Sequence, residues 1–578
     1  MNTSQSFTSK NRRLTIAVDS QIPPSLLQLL FGDDNDGTVK SSIDSVGEGS
    51  GNSTAARDIP ATSFLLHNVI YAPSIDSNYL VIGYTDRYML VESPKKKDEL
   101  NYRLMSVGNE GAASGEKVTA LYCMDIYAAH YGPKQPSSQT SSDGQSMCVI
   151  VGYSSGYMRI FSMYGHLLTA HQFHSQPLLR IRVRMPSQAN SEQTAGEVRY
   201  LANSGYSGSG HRHSSDSIIG GDGTGASILQ GPVREDAEEV CLTYADGVMV
   251  SIDGKSLYLA LRLCLNEAVD GLGSADEPIF QYKKWEFELN TPLVSDAVSY
   301  GPAAHRDPLA LLAKGTLTSS PMLSDATARF LVAPQQGDAV FGVFMTNEDA
   351  AMSFSAVDIA GRVAAKVTGA VLSIAKSYFW RANPLALTHS DPASQNATPA
   401  SRGEPGTTVP CAFAVRDGAR KVLDISLAPA QYNLAALTDS LGRVLIFDLE
   451  TCEIIHMLKG LRGSQCAWLE IVRSKETESA QSDPSAKDGS TVSRRMFVVV
   501  YTARRGTVEV FELGAMERPI ASVSVGAGWK LVQCPSQPFG GSLVVGSSWR
   551  ARRAALPTLA TCILINNSGQ IARVTINE

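Results

Sequence analysis

Short apolar runs recur along the whole chain. They are rich in β-branched residues and are interrupted by Gly or Asp at intervals of about eight to twelve residues. Residues 79–86, 148–153, 157–161, 178–183, 248–252, 443–447, 496–501 and 507–511 are the clearest of these runs. Counted through the chain, the pattern predicts roughly 28 strands and few helices.

Three stretches share one grammar: an apolar strand, a turn centred on Gly or Asp, then a second strand ending in an aromatic residue. They are 149–161, 434–447 and 498–511, and their turn and strand positions align without gaps. That unit is the inner hairpin of a propeller blade, a twisted four-stranded antiparallel sheet whose apolar faces pack on its neighbours. The predicted fold class is therefore all-β, a WD40-like β-propeller. Four strands per blade gives seven blades, and length at about 40–45 residues per blade leaves six to eight open.

Five stretches dominated by Ser, Gly, Asp, Thr, Gln and Pro interrupt the pattern, at about 31–60, 131–147, 187–238, 387–409 and 474–494. Such composition buries too little apolar surface to offset chain entropy, so they are read as loop insertions in one architecture. This divides the chain into an extension over 1–60, with a short helix at 23–30 opened by two prolines, and a propeller over 61–578. A second helix is predicted at 362–380. There Val363, Val367, Val371, Ile374 and Tyr378 recur at three- and four-residue steps, opposite Arg362, Lys366, Gly369, Ser373 and Lys376.

Composition narrows the function classes. Fifty basic against 56 acidic residues give a net charge of −6, which excludes a polybasic nucleic-acid binder. Nine cysteines without a C-x-x-C pair indicate neither a disulfide framework nor a zinc ribbon, and point to a reducing compartment. The polar N-terminus lacks an apolar targeting core, and no apolar run approaches the roughly 18 residues of a spanning helix. The expectation is a chain that is neither secreted nor membrane-spanning.

From 148–161 onward the sequence resembles the N-terminal region of the regulatory, non-catalytic subunit of the heterodimeric Rab GTPase-activating complex. Further landmarks follow in the same order: 250–257, Tyr282-Lys-Lys-Trp285, 434–439 with Leu441-Gly-Arg-Val444, Met457-Leu-Lys-Gly-Leu-Arg462 and Val500-Tyr-Thr-Ala-Arg-Arg-Gly506. The segment 362–380 stands where that family has a small-residue amphipathic stretch ending in an aromatic. The resemblance covers about 60–578. It implies a propeller-containing subunit that pairs with a catalytic subunit and, through the complex, controls a Rab-type small GTPase. GTP hydrolysis and nucleotide exchange in membrane traffic and autophagy are the implied setting. The implied location is cytoplasmic, peripheral on the endoplasmic reticulum or other endomembranes. Family members continue into a long helical region, whereas this chain ends at Glu578, so a fragment or a shortened member is expected. The competing reading is a propeller scaffold of another vesicle-trafficking assembly with no GTPase link.

Each candidate for chemistry has a plainer reading. Gly152-Tyr-Ser154-Ser-Gly156 matches a nucleophile-elbow pattern, but a strand follows it where a helix is needed. His211 and His213 lie in a Ser/Gly-rich insertion without a Cys or paired carboxylate nearby. The glycines of 220–225 lack the Lys-Ser/Thr of a phosphate loop, and Asp439 and Asp448 read as hairpin residues. Trp285 reads as packing. No catalytic, cofactor-binding or metal-ligating residue is assigned. Arg504 and Arg505, before a glycine suited to a tight turn, are the candidate contact with an acidic patch on a partner; the resemblance assigns hydrolysis to the other subunit. The helix 362–380 is the second candidate. Its Val/Ile stripe suits a blade or the catalytic subunit, while Lys366, Lys376 and Arg381 with Tyr378, Phe379 and Trp380 suit a membrane surface.

Overall fold

The computed structural model describes residues 6–8, 14–31, 69–75, 77–94, 101–108, 115–126, 146–185, 238–270, 280–289, 291, 293–301, 328–347, 353–354, 405–474, 492–540 and 559–576. All eight runs singled out above are strands, from Tyr79–Tyr84 to Thr507–Glu512. The described residues form 31 strands in seven sheets. Three of these strands, Ser6–Thr8, Ser353–Phe354 and Thr407–Val409, lie on outer edges, and the remainder supply four antiparallel strands to each sheet. The result is a seven-bladed β-propeller.

Six blades are continuous meanders, running inner to outer. Blade 1 starts at Ile70–Pro73 and ends at Arg103–Gly108; blade 2 runs from Val118–Ile126 to Leu167–Gln172; blade 3 from Leu178–Arg184 to Tyr282–Phe287. Blade 4 runs from Val294–Ser299 to Cys411–Arg416, blade 5 from Val422–Leu427 to Glu453–Lys459, and blade 6 from Ser464–Ser474 to Ala521–Ser524. Blade 7 is composite. Trp529–Gln533, Cys562–Asn566 and Gln570–Ile576 supply its inner three strands, and Leu14–Gln21 returns from the start of the chain as the fourth. The stretch 1–60 is therefore not all extension: 14–21 belongs to the ring. Its partner strand is over five hundred residues away, and no local pattern announces such a pairing.

Seven apolar clusters lie one at each junction of neighbouring blades, from blades 1 and 2 round to blades 7 and 1. Side-chain alternation makes this possible, because successive residues point to opposite faces of a strand. In blade 2, Val149 and Val151 enter the cluster shared with blade 1, while Cys148 and Ile150 enter the one shared with blade 3. Middle strands such as Ala328–Pro334 are thus buried at every residue, which is why they read as continuous apolar runs. An outer strand such as Glu453–Lys459 is mostly exposed.

Polar contacts secure the inner strands, whose channel-side edge has no fifth strand. Arg182 of blade 3 meets Asp296 of blade 4 through two bonds of 2.7 Å, and Asp296 accepts the Ile425 N–H of blade 5 at 2.9 Å. Across blades 6 and 7, Gln533 accepts from Trp468 N and Gln465 from Leu531 N, each at 2.6 Å. Buried backbone groups left without such partners would be costly.

Helix Pro24–Phe31 forms as its prolines predict, and Leu30 is buried against blades 7 and 1. A second helix, Gly254–Asp270, joins the two outer strands of blade 3 and was not foreseen. Asp253 caps it, accepting the Ser256 N–H at 2.8 Å. The predicted helix 362–380 and most of the five insertions lie outside the described residues. Where those insertions are described, 146–147, Thr407–Val409 and 492–494 belong to strands, because ladder pairing overrides their polar composition.

Candidate partner-binding site

Turns joining the second and third strands of each blade, and the links from one blade to the next, emerge on one face of the ring. The turn at 502–506 in blade 6 carries both candidate arginines. Thr502 O accepts the N–H groups of Arg505 and Gly506 at 3.1 and 2.9 Å. Gly506 has φ 61°, and a Cβ there would lie 2.3 Å from the Gly526 backbone. Its carbonyl in turn accepts from Val525 N and Gly526 N at 2.8 and 3.0 Å. The turn is thus locked to the link into blade 7, and it presents Arg504 and Arg505 to solvent.

The structure brings three further cations to this corner that sequence reasoning missed. Arg443 stands opposite Lys459 in the register of blade 5. Gly460 follows Lys459, and the space beside it is occupied by Arg505 Nη2, 3.7 Å from where a Cβ would stand. Arg462 packs over Gly442 of the neighbouring turn. Among the described residues none of these five cations forms an ion pair with a carboxylate. Like charges directly opposed across a ladder repel, so the corner holds positive charge that an acidic surface would relieve. The nearest acid in the turn, Asp439, is buried and occupied by the N–H groups of Leu441 and Arg443 at 3.0 and 2.7 Å.

Other candidates resolve as packing or turns. Ser154 Oγ accepts the Lys117 N–H at 2.9 Å within a hairpin, and Ser155 bonds Glu116, which pairs with Arg159 at 2.8 Å. Asp448 accepts from Glu450 N and Thr451 N. Trp285 is buried against Phe330, with its Nε1–H donated to Ser251 Oγ at 3.1 Å. His211, His213 and 220–225 lie outside the described residues, as do the side chains predicted for 362–380. The two ends from which that last stretch departs are described. Phe354 pairs with Tyr282 and Thr407 with Trp285, so both stand on the outer edge of blade 3. In the channel, Lys530 donates to Val69 O at 2.8 Å. Burial, and then the Arg180 charge, push its amine down to about 8.

A family model described as "Rab3 GTPase-activating protein regulatory subunit N-terminus" matches residues 65–204 and 226–532, well over half of the chain. The chain belongs to this family. Membership of the regulatory-subunit family gives a non-catalytic, regulatory role and implies a catalytic subunit as partner. Three segments of the regulatory subunit that carry the resemblance, 441–444, 457–462 and 500–506, meet at the cationic corner. Among solved structures, Sqt1 of Saccharomyces cerevisiae is similar at 10% identity and a TM-score of 0.32, covering 88% of this chain and 84% of that one. The C-terminal WD40 domain of Sif2 is similar at 10% identity and a TM-score of 0.33, covering 88% of this chain and 96% of that one. Among the described residues no helix is long and apolar enough to cross a membrane.

Proposed function

We propose that the chain binds and positions the catalytic subunit of a Rab GTPase-activating complex, so that a Rab-type GTPase is held in productive orientation. The contribution is binding energy and geometry, which turn a bimolecular encounter into an effectively unimolecular step. Acceleration of GTP hydrolysis and of nucleotide exchange both fall within this reading. Its setting is membrane traffic and autophagy, with the chain cytoplasmic or peripheral on endomembranes.

The observation that carries the proposal is the unneutralised corner of blades 5 and 6 in a member of a regulatory-subunit family. Exposed charge pairs contribute about 0.2–1 kcal/mol each, and they act strongly on association rate. Arg504→Ala/Arg505→Ala should weaken binding to the catalytic subunit and GTPase together by about 2–30-fold at low salt. The deficit should shrink as salt rises. Surface plasmon resonance across a salt series reads this directly. Unchanged affinity at every salt concentration would remove the corner from the interface.

A further inference from the structure

We propose that the seam between blades 5 and 6, beneath the cationic corner, is a binding site for a phosphate monoester, the side chain of a phosphorylated serine or threonine on a partner protein. This rests on the corner being a partner contact, as read above, and adds the chemistry that the partner brings. Ser464, Thr502, Thr507 and Ser524 stand opposite one another in register across all four strands of blade 6. Residues opposed in a ladder share a face, as do residues two apart along a strand. Cys466, Val500 and Phe511, two or four positions from members of this row, belong to the cluster shared with blade 5. The hydroxyl row therefore faces blade 5. Thr438 faces it from the other side, in step with Leu434 and Ala436 of the same cluster.

Thr438 and Thr502 are 2% and 1% exposed, and the hydroxyl oxygens of Thr438, Ser464, Thr502 and Thr507 are shielded without a hydrogen-bond partner among the described residues. One such group is a cost that folded chains normally avoid; four at a single seam mark a place where a ligand completes the bonding. The link 460–463 borders the seam and is bonded to the turns of both blades, Leu461 N–H to Gly442 O at 2.8 Å and Ala503 N–H to Gly463 O at 3.4 Å. It leaves room. A Cβ at Gly463 would meet open space, and one at Gly460 would have Arg505 Nη2 at 3.7 Å.

Charge selects the ligand. Arg443, Lys459, Arg462, Arg504 and Arg505 converge here without an ion pair to a carboxylate among the described residues. Acids elsewhere on this face each have a basic neighbour: Asp86 has Arg87 at 3.2 Å, Glu116 has Arg159 at 2.8 Å, Asp246 has His174 at 2.6 Å and Asp417 has Arg420 at 3.0 Å. The excess charge is thus confined to one corner, which suits a point ligand carried on a polypeptide. A bilayer would press on the paired turns of blades 1 to 4 as well. A carboxylate brings one charge and two oxygens, whereas a phosphate monoester brings a charge of about −1.5 to −2 and three strong acceptor oxygens. That matches guanidinium forks on one side and hydroxyl donors on the other.

The test is the melting temperature of the full chain with capped phosphothreonine as probe, against capped glutamate at equal ionic strength. A ligand bound by the folded chain raises the melting temperature as its concentration grows. Phosphothreonine should do so and glutamate should not. Thr438→Val/Thr502→Val keeps the shape of both side chains and all five cations. It should melt no lower than wild type without probe, yet lose at least tenfold in apparent affinity for phosphothreonine. Arg505→Ala should lose a similar factor, and keeps the test valid if the valine variant melts early. Equal shifts with phosphothreonine and glutamate, or wild-type affinity in the valine variant, would reduce the corner to unspecific charge and overturn the site. Vesicles containing phosphatidylinositol phosphate supply another arm: binding to them with no response to phosphothreonine would make the ligand a lipid headgroup and refute the proposal. The reading above fails separately, by unchanged subunit affinity in the salt series, whereas a missing phosphothreonine response removes the phosphate site alone.

Discussion

Replacing Asp296 by alanine should destabilise the ring more than any other single change at the channel wall. Its carboxylate is fully buried and accepts four hydrogen bonds: two of 2.7 Å from Arg182, and 2.9 Å bonds from Ala297 N and Ile425 N. Asp296→Ala leaves a guanidinium and two amide donors without their acceptor at the meeting of blades 3, 4 and 5. Breaking one side of a buried pair costs about 3–5 kcal/mol, because the surviving charge stays desolvated. The nearby Arg180–Asp424 pair is longer, at 3.5 Å, and both side chains are over 40% exposed. Asp424→Ala should therefore cost under about 1 kcal/mol. Urea unfolding followed by tryptophan fluorescence measures both. Arg182→Met combined with Asp296→Ala should cost less than Asp296→Ala alone, since it removes the stranded charge. Equal costs for Asp296→Ala and Asp424→Ala, or no recovery in the double variant, would refute the assignment of Asp296 as the latch.

Two further outcomes are expected. Gly506→Ala should cost about 1–3 kcal/mol in the same assay, because the residue sits at φ 61° against the Gly526 backbone. It should also weaken the salt-dependent partner binding by displacing the arginine turn. Lys530 loses its proton near pH 8 in the folded chain, against an ordinary value of 10.5. Between those values Lys530 by itself adds stability as pH rises, because the unfolded chain holds more of its proton. The buried thiols of Cys123, Cys148, Cys241, Cys466 and Cys562, pushed up by desolvation, act the other way and outweigh it above about pH 9. Lys530→Met should therefore steepen the fall of stability with pH, as urea midpoints at pH 7.5, 9 and 10.5 will show.

The strands were legible because local composition decides them. A residue such as Ile150, with a blade on either side, must be apolar whichever way its strand is read. Blade number followed from strand number, and the three supernumerary strands add only edge pairing. Helix Gly254–Asp270 escaped because Leu257, Leu259, Leu261 and Leu263 alternate with other residues, a strand-like period of two, and they directly follow a true strand. The capping pair Asp253 and Ser256 was the available signal. The candidate corner was half legible. Arg504 and Arg505 adjoin a turn glycine, but Arg443, Lys459 and Arg462 lie 40 or more residues earlier, and only the junction of two blades assembles them.

The composite seventh blade imposes an order on biosynthesis. Leu14–Gln21 leaves the ribosome among the first strands, while its partner Gln570–Ile576 follows only after about 550 further residues, roughly half a minute to two minutes later. Throughout that interval the early strand presents an unsatisfied edge, and blade 1 lacks the neighbour that will cover Leu80, Ile82 and Met89. Each nascent chain thus passes through an open crescent whose two ends are mutually adhesive. Its prospects depend on whether a chaperone, or another crescent, reaches those ends first.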